Sequence, residues 1–207
     1  MRTRVKICGI TGCEDAKLVV DAGVDAVGLV FYGKSPRFVT IELAAEISQL
    51  IPAFVSRVAL FKDAEQQMIE SVLEQVEVDL VQFHGSETAV YCEQFNRPYI
   101  KALGMKGAEH DVSFLLANVE KYQSAKALLL DGHAPGEAGG SGKSFDWASI
   151  AAVDKPIVLA GGLTPDNVKQ AIDLVHPFAV DVSSGVESSP GIKDKNKVAA
   201  FMKQVSV

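Results

Sequence analysis

The chain has 207 residues, 48% of them hydrophobic and 22% charged, with a formal net charge of −6. That length and mix fit one sizeable core or two small domains and exclude a disordered chain. The negative balance argues against nucleic acid or an anionic membrane as partner, because both need broad positive patches.

Cys8, Cys13 and Cys92 form no CxxC pair, and no histidine completes a zinc spacing, so neither a disulfide framework nor a metal site is expected. No apolar run reaches the roughly 18–20 residues of a membrane span, and the first residues lead straight into a strand pattern. A soluble, cytoplasmic protein is the expectation.

In chain order, continuous apolar runs predict strands at Val5–Cys8, Ala26–Phe31, Arg57–Phe61, Leu80–Phe83, Tyr99–Leu103, Ala127–Leu130, Ile157–Ala160 and Ala179–Val182. Such runs suit strands covered on both faces. Helical periodicity fills the intervals: Glu14–Ala22, Ile41–Leu50, Glu65–Val76, Glu87–Phe95, Val112–Tyr122, Trp147–Val153, Pro165–Leu174 and Lys195–Val205. Thr40, Thr164 before Pro165, and more weakly Ser86 are N-cap candidates. An eightfold βα alternation without a linker predicts one α/β domain over residues 1–207, a single (β/α)8 TIM barrel. An open doubly wound sheet is the alternative, but Gly9-Ile10-Thr11-Gly12 lacks its dinucleotide-binding spacing.

Chemistry in such barrels collects where strands end. Strand alternation puts Lys6 and Cys8 on one face of the first strand, Gln82 and His84 on one face of the fourth, Asp131 with Leu129 on the sixth, and Asp181 with Ser183 on the eighth. Each reading has a plain structural counterpart: Cys8 as a small core residue, Asp131 as a turn residue before Gly132, His84 as an orienting group. Asp181 interrupts an apolar strand, and a buried carboxylate is costly unless paired or used.

Gly161-Gly162 after the seventh strand and Ser183-Ser184-Gly185 after the eighth, each leading toward a helix start, predict a phosphate site built from backbone N–H groups. Gly139-Gly140-Ser141-Gly142-Lys143 looks like a third contributor. Arg37, in the loop after the second strand, has a guanidinium fork suited to a carboxylate. The long Gly-rich stretch 132–142 is of the kind that closes over a substrate.

Together these residues resemble the phosphoribosylanthranilate isomerase family of tryptophan biosynthesis. The resemblance is carried by Lys6-Ile7-Cys8-Gly9, Phe31 through Ser35-Pro36-Arg37, Gln82-Phe83-His84-Gly85, Leu130-Asp131, Gly139 to Gly142 with Phe145-Asp146-Trp147, Leu159 to Leu163, and Asp181 to Glu187 with Pro190-Gly191. Ser141 and Phe83 stand where the family more often has Thr and Leu; neither change removes a functional group.

The resemblance implies an Amadori rearrangement of N-(5-phosphoribosyl)anthranilate to the 1-amino-1-deoxyribulose 5-phosphate, with no cofactor and no metal. By matched position Asp131 is the general acid and Cys8 the general base. Arg37 holds the anthranilate carboxylate, Asp181 and His84 contact the substrate, and Gly142, Gly161, Gly162, Ser184 and Gly185 grip the phosphate. Monomeric and homodimeric states both fit the family. The rivals are an aminoaldose isomerase of histidine biosynthesis, expected to carry Asp at the end of the first strand, and a non-catalytic sugar-phosphate sensor, which has no need of both Cys8 and Asp131.

Overall fold

In the computed structural model, residues 2–105, 112–132, 147, 150 and 152–206 are described. Eight parallel strands close into a barrel: β1 (Arg4–Cys8), β2 (Ala26–Val30), β3 (Ser56–Phe61), β4 (Leu80–Phe83), β5 (Tyr99–Gly104), β6 (Ala127–Asp131), β7 (Ile157–Leu159) and β8 (Ala179–Val182). The seam between β1 and β8 runs in register from Arg4 opposite Ala179 to Ile7 opposite Val182. The α/β barrel expected from the alternation is therefore the fold, with strand limits within a residue or two of those predicted.

Alternation divides each strand between two cores. Val5, Ile7, Val27, Leu29, Val81, Phe83, Leu128, Leu130 and Val180 belong to the cluster between strands and helices. Ile100, Ala102, Ala127, Leu129, Val158, Ala160 and Ala179 fill the barrel interior. At the carboxyl end the axis-facing positions hold Cys8, Gln82, Asp131 and Asp181 together with Val30 and Leu60.

The helices are α1 (Cys13–Asp21), α2 (Ile41–Gln49), α3 (Gln66–Gln75), α4 (Ala89–Glu93), α5 (Val112–Lys121), α6 (Val168–Val175) and α7 (Lys195–Val205). The helix predicted over Trp147–Val153 lies mostly outside the described residues, although Trp147, Ile150 and Val153 pack against the outer core. Thr40 caps α2 by accepting from the Leu43 N–H, as expected. Two other starts differ from the prediction. Thr164 and Pro165 form a turn before α6, and Asn167 occupies the cap position, its side-chain oxygen accepting from the Thr164 N–H at 2.8 Å.

The fourth helix begins after Thr88, which accepts from the Tyr91 N–H, rather than after Ser86. The reason is tertiary. Glu87 turns inward, where Oε1 and Oε2 accept from the N–H groups of Asp63 and Gly85. Lys101, on the helix-facing side of β5, donates to Glu87 Oε2 at 3.0 Å and to the carbonyls of Gly85 at 2.6 Å and Phe83 at 3.3 Å. This buried pair fixes the chain just beyond His84.

After β8 one 3-10 turn (Ser184–Val186) leads into a hairpin of β9 (Glu187–Ser189) and β10 (Ile192–Lys193). Asp194 then caps α7 by accepting from the N–H groups of Asn196 and Lys197. No helix among the described residues is long and apolar enough to cross a membrane.

Removing one partner of a buried ion pair strands the other charge. Lys101→Met is expected to lower the unfolding free energy by about 3 kcal/mol, read from urea denaturation. A loss below about 1 kcal/mol would show that Glu87 is adequately satisfied by its two backbone donors.

Candidate active site

The carboxyl end of the barrel opens into a cavity of about 830 Å³, solvent at its mouth included. Of the residues expected to form a site, Cys8, Arg37, His84, Asp131, Gly161, Gly162, Asp181 and Ser184 all line it. Gly185 does not: it sits behind Ser184, where an added Cβ would overlap the Leu163 carbonyl oxygen. Gly142 and the rest of the 133–146 stretch, including the anticipated closing loop and third phosphate contributor, lie outside the described residues.

Cys8 is the last residue of β1, and its thiol packs with Val30 and Leu60, with Tyr32 alongside. Gly28 on β2 makes the room. A Cβ there would stand 2.6 Å from the Cys8 sulfur and 3.1 Å from Lys6 Cε. Glycine inside a strand is a sign of such close approach.

Below the thiol, Lys6 Nζ meets Asp181 Oδ2 at 2.8 Å, both side chains being buried. Burial opposes the Lys6 charge, yet Asp181 and Cys8 outweigh it and carry its pKa above that of an ordinary lysine. Burial pushes the Asp181 carboxyl up while Lys6 pulls it back; the 2.8 Å contact is that of an ammonium on a carboxylate. Burial also raises the Cys8 thiol, against the pull of Lys6 and Lys193.

Only one oxygen of Asp181 is used by Lys6. Oδ1 is buried and, among the described residues, has no hydrogen-bond partner. An orphaned acceptor in a ligand-sized cavity is suited to an N–H or O–H from outside the protein.

Asp131 ends β6, with Oδ2 3.3 Å from His84 Nε2. His84 Nδ1 lies 3.0 Å from Gln82 Nε2, so the two axis-facing side chains of the fourth strand reach toward the carboxyl in series. Gly161 backs directly on Asp131: a Cβ there would be 2.8 Å from Oδ1. Gly161 and Gly162 have φ of 86° and 67°, a left-handed pair that side-chain-bearing residues seldom adopt. Asn167 pins this turn by donating to the Gly162 carbonyl at 2.9 Å. With Ser183 and Ser184 opposite, the turn forms the backbone-rich pole of the cavity.

Arg37 marks the other pole, but not as a free cation. Its Nε and Nη2 donate to Glu187 Oε1 and Oε2, each at 2.7 Å, and neither bond uses Nη1. Glu187 also accepts from Lys193 Nζ at 2.7 Å, and that ammonium reaches the Cys8 carbonyl at 2.7 Å. Glu187 stood in the recognised stretch without a role, and Lys193 was not anticipated. A two-residue strand with one inward lysine leaves no periodic signal.

The structure is an enzyme-type (β/α)8 barrel that gathers its acid and base candidates at one mouth, between a guanidinium and a glycine-lined pole. The model of the N-(5'-phosphoribosyl)anthranilate (PRA) isomerase family matches residues 5–204. The chain is 50% identical over 203 residues to the N-(5'-phosphoribosyl)anthranilate isomerase of Pseudomonas fluorescens, covering 98% of each. Phosphoribosyl anthranilate isomerase from Thermotoga maritima superposes with a TM-score of 0.88 at 43% identity, covering 99% of this chain and 98% of that one. A phosphoribosyl anthranilate isomerase solved in complex with reduced 1-(o-carboxyphenylamino)-1-deoxyribulose 5-phosphate superposes at 0.82 and 40%, with the same coverage. The chain belongs to the N-(5'-phosphoribosyl)anthranilate isomerase family.

The Glu187 contacts carry a pH consequence. Burial works to raise its pKa, but the Arg37 hydrogen bonds and the Lys193 charge prevail and hold it below the usual glutamate value. A depressed carboxyl adds stability above its unfolded pKa of about 4.3 and loses it as pH falls through the folded value. The urea midpoint of the wild type should therefore drop further than that of Glu187→Gln between about pH 6 and pH 3. Parallel drops would show that Glu187 adds no acid-sensitive stability.

Proposed function

We propose that this chain catalyses the Amadori rearrangement of N-(5-phosphoribosyl)anthranilate to 1-(2-carboxyphenylamino)-1-deoxyribulose 5-phosphate, with Asp131 as general acid and Cys8 as general base. The observation that carries this reading is the convergence of Cys8 and Asp131 on one cavity whose two poles match the two anionic ends of that substrate.

At one pole, the apolar side chains of Val30, Tyr32, Pro36 and Leu60 provide a wall for the aromatic ring, with the Nη1 edge of Arg37 beside it for the ring carboxylate. At the other, the Gly161-Gly162 turn and Ser184 offer close backbone approach for the phosphate. The ribose lies between them. Asp181 Oδ1, the buried acceptor without a partner, receives the anilino N–H. His84 steadies Asp131 from the side away from the sugar.

The reaction needs one proton delivered and one removed. Asp131 gives its proton to the ring oxygen as the C1–O bond breaks, and the nitrogen lone pair forms the iminium. Cys8, having released its thiol proton to solvent when the substrate binds, takes the proton from C2 as a thiolate, and the C–H electrons form the enolamine, which tautomerises to the ketone. Proton count is unchanged overall.

A buried thiol is a weak base at rest. Lys6 Nζ stands beside it, and formation of the iminium puts a second positive charge at the atom next to C2. The thiolate is therefore favoured when it is required.

Cys8→Ala and Asp131→Asn should each lower kcat by about a hundredfold or more while the circular dichroism spectrum stays that of the wild type. The readout is loss of the substrate's anthranilate fluorescence. Turnover near the wild-type rate in either variant would take that residue out of the mechanism. No fluorescence change with the wild type would overturn the substrate assignment itself.

A further inference from the structure

The mouth of the barrel contains two charged groups that neither give nor take a proton in the proposed transfers: Glu187 and Lys193, both delivered by the hairpin that follows β8. Both are buried, at 6% and 4% exposure, in a structure where an unpaired buried charge is costly. Their contacts run in two directions. Toward Arg37, Glu187 makes the two parallel bonds of a carboxylate–guanidinium fork, a geometry that fixes the plane and the position of the guanidinium. Toward Cys8, Lys193 Nζ donates to its main-chain carbonyl, which also accepts from Ser183 Oγ at 2.9 Å. The Lys193–Glu187 bond of 2.7 Å joins the two halves.

From this geometry we infer that Glu187 and Lys193 are positioning residues, a rigid link that sets the distance between the carboxylate anchor Arg37 and the base Cys8. The inference rests on the reading of Arg37 and Cys8 given above. A carbonyl at the end of a strand has no further ladder partner beyond the strand, and the two donors on Cys8 replace one. Neither Glu187 nor Lys193 lines the cavity. The effect of the link is felt through where the ring carboxylate is held relative to the sulfur.

Lys197 ties the hairpin down as well, donating to the Glu187 main-chain carbonyl at 2.6 Å.

The two ends of the link have different kinetic signatures. A carboxylate anchor is used alike in ground and transition states, so loosening Arg37 raises KM, whereas displacing a base slows only the chemical step. Glu187→Gln should raise KM roughly tenfold with kcat within about threefold of the wild type. Lys193→Met should lower kcat roughly tenfold with KM within about threefold, and Lys193→Arg should recover most of it.

Should Glu187→Gln not fold, the charge-balanced double variant Glu187→Gln/Lys193→Met removes one charge of each sign and should show both defects together. Arg37→Ala and Cys8→Ala, assayed alongside, test the underlying reading. If these two are impaired while the Glu187 and Lys193 variants keep wild-type constants, or lose kcat and KM without the split, the link is refuted and the reading stands. If Arg37→Ala and Cys8→Ala are themselves unimpaired, the reading fails first.

Discussion

The buried contact between Lys6 and Asp181 is the constraint around which the mouth of this barrel is arranged. It joins β1 to β8 where the sheet closes on itself, with the two residues directly opposite in the ladder. Two charges taken out of water at such a place rarely add stability over an apolar pair of the same volume. Their value lies in what they impose on neighbours. The ammonium sits under the Cys8 sulfur, and it occupies one oxygen of Asp181 while the other is buried with no hydrogen-bond partner among the described residues. One interaction thereby conditions a thiol and presents an acceptor.

The room for this arrangement comes from a residue that does no chemistry. Gly28 lies opposite Cys8 in the ladder, and any side chain there would collide with the sulfur and with the stem of Lys6. The aliphatic floor supplied by Leu129, Ala160 and Ala179 keeps water from beneath the charged layer, so the charges meet at low effective dielectric. Packing, vacancy and charge are parts of one device, and altering the packing alters the electrostatics.

Much of this was legible in the chain because a parallel barrel obeys a short period. Alternation placed Lys6, Cys8, Gln82, Asp131 and Asp181 inside, and Gly161-Gly162 after the seventh strand with Ser183-Ser184 after the eighth marked the backbone-rich pole. The features that escaped are those in which a side chain meets a partner distant in sequence. Glu87 looked like the first residue of a helix, since its buried partner Lys101 lies on another strand. Arg37 looked like an unpaired anchor, since Glu187 is 150 residues away. Helix starts are local only when the capping side chain is free to cap: Thr40 was, and Ser86 stood next to a glutamate already taken inward.

The division of charge across the cavity bears on how a thiol and a carboxyl can exchange their usual roles. Near Cys8 stand Lys6 and Lys193, two ammonium groups that favour a thiolate. Near Asp131 stand His84, whose Nε2 lies 3.3 Å from Oδ2, and the Gly161 turn, where an added Cβ would come within 2.8 Å of Oδ1. The left-handed pair Gly161-Gly162 therefore serves two ends at once: it lines the cavity with main chain rather than side chain, and it leaves the space that the Asp131 carboxyl fills. In the proposed reaction the same turn both grips the phosphate and seats the acid, so a side chain at Gly161 would disturb the two together.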